Sequence, residues 1–139
     1  MAEQSSESVD KAMDTTVSVS RVVSHPIDSV WNVLMKPHGA EALLGEGGEL
    51  GSKGEPWRAK DGSHGVARSF HPLEQIRFSW HPDDSADSPA SVVELDLAKD
   101  GESSTRLDVT HSNLHPGADR DALKARWETA LERIDQDAL

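Results

Sequence analysis

The sequence predicts an α+β domain: a curved antiparallel sheet of about six or seven strands wrapped around one long C-terminal helix, with two short helices after strand one. Three observations predict it. Thr105 to Ser112 alternates as a strand and runs, after the Pro116-Gly117 break, into a helix whose apolar residues fall at Leu123, Trp127, Leu131, Ile134 and Ala138. That spacing is one face of a 3.6-residue period. Almost everything between Gly47 and Ser112 instead alternates with period two, so a sheet is the only partner available to the helix stripe.

Taken in order, residues 1–14 are polar, Ser/Glu-rich and without a sustained period, and read as a flexible tail ahead of a domain over 15–139. Val17, Val19, Arg21 and Val23 form one face of a first strand. His25-Pro26 ends it, and Pro26 with Asp28 suits the first turn of a helix whose face is Ile27, Val30, Trp31 and Leu34. Lys36-Pro37 stops that helix, because the residue before proline avoids the α region. Pro37 to Leu44 reads as a second short helix, ended by Gly45, Gly47 and Gly48.

Strands follow, separated by turn chemistry. Lys53-Gly54-Glu55-Pro56 and Asp61-Gly62 bracket a segment holding Trp57 and Ala59. Val66, Arg68 and Phe70 share one parity in the next strand, Ile76, Phe78 and Trp80 in the one after it. His81 to Ala90 reads as an exposed loop. Val93, Leu95 and Leu97 then alternate with Glu94 and Asp96, Asp100-Gly101 turns the chain, and Leu107, Val109 and His111 return it.

Composition narrows the function classes. A chain of 139 residues is long enough for one self-sufficient core. Without cysteine it has neither a disulfide frame nor a thiolate nucleophile. A formal net charge of −11 disfavours nucleic acid and anionic membrane surfaces. No long apolar run and no secretory leader pattern is visible, so a cytoplasmic protein without membrane insertion is expected. Four of the seven histidines precede proline, and none has zinc-site spacing; no metal and no cofactor is expected.

Several stretches together carry a resemblance. Ser24-His25-Pro26-Ile27-Asp28-Ser29-Val30-Trp31, then Gly65-Val66, Pro72 and Ile76-Arg77-Phe78-Ser79-Trp80, then Thr105-Arg106-Leu107-Asp108-Val109-Thr110-His111-Ser112 with Trp127-Glu128 and Leu131, occur in the order found in the START-like (SRPBCC, birch-pollen-allergen-type) superfamily. Within it, the chain is similar to the subgroup related to the C-terminal domain of the activator of heat-shock protein 90 ATPase. The resemblance implies the helix-grip fold. It also implies an apolar cavity between long helix and sheet for a lipid-, sterol- or polyketide-like molecule. Its implied wall is Trp31, Leu34, Leu43, Trp57, Phe70, Phe78, Trp80, Leu95, Leu123, Trp127 and Leu131.

Parity places Arg68 and His111 on the inward side, with His64 on the Arg68 parity. Because strand ends reach the rim, an Arg68 exposed at the rim is favoured over a buried one needing a carboxylate or a ligand anion. The expected function is binding of a small hydrophobic molecule by a monomer or weak dimer. The alternatives are a co-chaperone-like module whose partner is a chaperone or another protein, and a cyclase or resistance protein acting on an aromatic compound. No serine has the surroundings of an activated nucleophile and no catalytic residue is assigned. For the cyclase alternative, the resemblance to cyclase-like relatives implies a general acid or base at His64 or His111.

Overall fold

The computed structural model describes residues 16–83, 90–115 and 117–139. The tail expected over 1–14 and most of the loop expected over 81–90 lie outside them. The described residues form six strands in the order β1-β6-β5-β4-β3-β2, every neighbour antiparallel. The strands are β1 (Val17–Val23), β2 (Pro56–Arg58), β3 (His64–His71), β4 (Gln75–Trp80), β5 (Ser91–Lys99) and β6 (Thr105–Ser112). Helices α1 (Ile27–Leu34) and α2 (Pro37–Leu44) follow β1, and α3 (Arg120–Arg133) closes the domain, continued by a π-helical turn over Ile134–Ala138. This is the α+β helix-grip architecture that the period-two and period-3.6 patterns predict.

Local chemistry explains the boundaries. Pro26 is extended at the N-cap of α1, Asp28 sits in the first turn, and Ile27, Val30, Trp31 and Leu34 are buried. Pro37 opens α2, and Gly45, at φ +114°, ends it in a conformation that side chains disfavour. Asp119 caps α3 by accepting the Ala122 N–H at 3.0 Å. Trp127, Leu131 and Ile134 are buried as the helical stripe requires, whereas Leu123 is half-buried, where it lines an apolar pocket.

Register sets the inner face of the sheet. Val17 lies opposite His111, His111 opposite Val93, and Val93 opposite Phe78; the next row is Val19, Val109, Leu95 and Ile76. These side chains are buried beneath α3. The outer face is polar: Arg77 meets Glu94 at 3.4 Å, Gln75 meets Asp96 at 2.8 Å, and Asp108 accepts from Ser20 and Arg106.

One strand departs from the parity expectation. In β3 the buried residues are Gly65 and Ala67, while Arg68 is exposed on the other face. A bulge between Ala67 and Ser69 then shifts the register, leaving Phe70 half-buried. Arg68 is therefore a solvent-side residue, not an inward one. Gly65 is required by close approach, since a Cβ there would lie 1.8 Å from the Ser79 carbonyl oxygen.

Candidate functional site

Aromatic rings fill the centre of the grip. Trp127 and Phe78 are wholly buried and meet edge-on at 6.5 Å. Trp57 packs against Phe78 at 5.6 Å, Trp80 against Trp127 at 6.3 Å, and His111 against both Trp80 and Trp127 at 5.0 and 5.6 Å. These edge-to-face contacts suit the ring quadrupoles.

A chain of hydrogen bonds runs through this cluster. The Trp127 indole N–H donates to His111 Nδ1 at 3.0 Å, so that nitrogen carries no proton. His111 Nε2 then holds the proton and lies 2.6 Å from Ser91 Oγ, whose hydroxyl donates to the Trp80 carbonyl oxygen at 3.1 Å. Every polar atom in the chain is satisfied. Burial, with the positive charge of Arg126 nearby, pushes the His111 pKa down to about 4. The Ser91–His111 contact has the separation of a nucleophile–base pair but the wrong tautomer. The nitrogen facing Ser91 is already protonated, and an indole stands where a catalytic histidine has its orienting carboxylate.

Arg126 secures the rim. Its guanidinium lies over Trp80 at 5.4 Å and Trp127 at 5.6 Å, and donates to Asp61 Oδ2, the Leu44 carbonyl oxygen and Ser63 Oγ at 3.0, 3.0 and 3.2 Å. One side chain thus ties α3 to the end of α2 and to the turn before β3. Burial raises the Asp61 pKa, but hydrogen bonds from the Ser63 hydroxyl and backbone and from Arg126 outweigh it and hold the carboxyl below its ordinary value.

Open space lies at the edges of the cluster. Where the end of β4, the start of β5 and the first half of α3 converge, Trp80, Pro82, Ala90, Ser91, Leu114, Ala118, Ala122 and Leu123 enclose a pocket of about 200 Å³, with His115 and Asp119 completing it. Its surface is mostly apolar, and among the described residues no Lys or Arg lines it. Trp80 is 6% exposed, and its Nε1–H is a buried donor with no acceptor. A larger cleft of about 410 Å³ between α2 and α3 is walled by Lys60, Asp61, Glu46, Arg126 and Arg133 around Ala42, Leu43 and Ala130. Among the described residues, no cluster of three or more His, Cys, Asp or Glu side chains could hold a metal ion.

The residues predicted to line a cavity therefore separate. Trp80 and Leu123 wall the apolar pocket, and Leu43 reaches the charged cleft. Trp31, Leu34, Trp57, Phe78, Leu95, His111, Trp127 and Leu131 are core, Phe70 is at its edge, and Arg68 is outside. His64 stacks on His81 at 4.6 Å, away from these rings. Sequence reasoning missed Arg126, Ser91 and the Leu114–Ala118–Ala122 wall. Arg126 adjoins Trp127 but lies off the apolar stripe, so periodicity assigns it to solvent. Small residues beside a Pro/Gly break give no signal at all.

Comparison with known proteins agrees with this fold. The protein MLL2253 from Mesorhizobium loti superposes with a TM-score of 0.73 at 25% identity, covering 87% of this chain and 94% of that one. DynU16, a protein of the dynemicin biosynthetic locus, gives a TM-score of 0.69 at 24% identity over 88% of this chain, which spans only 46% of DynU16. The Aha1 dimer from Colwellia psychrerythraea gives 0.70 at 15% identity, over 88% of this chain and 95% of that one. No match is found among curated proteins. Residues 24–137 match the family described as Activator of Hsp90 ATPase homolog 1-like protein, and with most of its length inside that match the chain belongs to this family.

Proposed function

We propose that the domain binds a small, flat, hydrophobic molecule in the apolar pocket at the end of the grip, between Trp80, Leu114 and Leu123. The observation that carries this reading is the pocket itself: about 200 Å³ of mostly apolar space against a buried indole. An apolar cavity of about 150 Å³ accepts a benzene ring, and drug-sized sites begin near about 300 Å³. One or two fused rings fit this volume, and a sterol does not. The ligand site is the mouth of the grip, because Trp127, Phe78 and His111 occupy its centre.

A thermal-shift series with one- and two-ring aromatics tests this. A ligand at a hundred times its dissociation constant adds about 2.7 kcal/mol, which raises the midpoint of a domain this size by several degrees. Leu123→Trp, which fills the pocket from a half-buried position, is expected to abolish the shift while leaving the protein folded. No shift with any ring compound, or an undiminished shift in the variant, contradicts the reading.

Contact with a chaperone is the alternative, and family membership speaks for it. The outer face of the sheet offers ion pairs in place of an apolar patch, and the exposed large apolar residues Val22, Met35 and Leu73 sit on three different segments.

A further inference from the structure

We propose that the molecule bound beside Trp80 is an uncharged ring compound carrying one carbonyl-type acceptor, which takes the hydrogen of Trp80 Nε1. This rests on the ligand-binding reading above and gives the ligand its polar chemistry. The three indoles of the central cluster differ in their hydrogen bonding. Trp127 donates to His111, and Trp57 donates to the Ser79 carbonyl oxygen at 3.2 Å. The Trp80 Nε1–H is as deeply buried, and it is the one buried side-chain polar atom among the described residues with no partner. Burying a donor without an acceptor is costly, so such a group on a ring that lines apolar space marks where an acceptor arrives with a ligand.

Charge excludes the acidic classes. No Lys or Arg lines the pocket among the described residues, and Asp119 contributes a carboxylate to its wall. The Arg126 guanidinium, over the Trp80 ring at 5.4 Å, does not line the pocket and is committed to Asp61, Ser63 and the Leu44 carbonyl. A fatty acid or other carboxylate would enter a site whose described wall holds the Asp119 carboxylate and, as its one side chain able to carry positive charge, His115, at a desolvation cost that a neutral carbonyl avoids. The neutral His111–Ser91 chain behind the pocket already satisfies itself and His115 at the wall is exposed, its Nδ1 accepting the Gly117 N–H at 3.2 Å, so the Trp80 N–H is the buried donor left without an acceptor.

Three probes of one skeleton test this: indane, 1-indanone and indane-1-carboxylate, titrated into the full chain with nitrogen-15-labelled tryptophan. The expected result is that 1-indanone binds about tenfold tighter than indane, the worth of one satisfied buried donor. It should also move the Trp80 indole N–H resonance downfield while those of Trp57 and Trp127 stay in place. The carboxylate is expected to bind more weakly than 1-indanone. Trp80→Phe, which keeps a ring and removes the donor, assigns the resonance and should erase the ketone's advantage. The wild-type comparison stands even where that variant does not fold. Equal affinity of indane and 1-indanone, or an unmoved Trp80 resonance, overturns the hydrogen bond and leaves the binding site intact. Tighter binding of the carboxylate overturns the neutral class. If none of the three binds, the ligand-binding reading fails and this inference falls with it.

Discussion

His111 sits at a position that strand parity alone assigns to the interior, and its neighbours decide what it does there. With the Trp127 indole donating to Nδ1, burial and the nearby charge of Arg126 hold the ring neutral. Its folded pKa of about 4 is below the ordinary 6.5, so between those values the unfolded chain binds a proton that the folded chain does not. Stability from this residue is therefore complete above pH 6.5 and is lost as pH falls toward 4. Urea unfolding at pH 7 and pH 5 is expected to show a loss of about 2 kcal/mol over that interval. Equal midpoints at the two pH values would mean that His111 already takes up the proton in the folded state.

At the scale of elements, α3 carries the fold and the pocket together. Its buried stripe of Trp127, Leu131 and Ile134 grips the sheet, while Ala122 and Leu123, about one turn earlier, wall the pocket. The first turn is set by Asp119, which both caps the helix and stands at the pocket wall. Asp119→Ala is expected to cost about 1 kcal/mol in a denaturant titration, the value of one lost N-cap. A loss within experimental scatter would show that the first turn of α3 is held by packing alone.

The helix stripe, the two proline-started helices and the alternation of β4 to β6 were legible in the sequence because large apolar side chains mark them at regular intervals. β3 misled because its inward positions are Gly65 and Ala67, which are nearly silent to a hydrophobicity pattern, while Val66 and Phe70 advertise the opposite parity. Arg68 shares the parity of Val66, and its exposure agrees with the rim position favoured for it. The wall residues named by family resemblance are mostly core, since a ring large enough to line a cavity is also large enough to fill it. Trp127, Phe78 and Trp57 do so by edge-on packing. The pocket that exists is built by Ala90, Ser91, Leu114, Ala118 and Ala122, brought together from three segments whose residues share no pattern along the chain.

At the scale of the whole molecule, the domain is a closed aromatic core with its ligand-sized apolar space displaced to one end of the grip. The charged cleft between α2 and α3 is the competing location, because it is larger and borders the same Arg126. A crystal structure of the protein grown with saturating 1-indanone decides between them directly. The account predicts density for one flat molecule against Trp80 and Leu123, with the Trp127–His111–Ser91 chain unchanged. Density in the α2–α3 cleft, or a ring intercalated between Trp127 and the sheet, would contradict it.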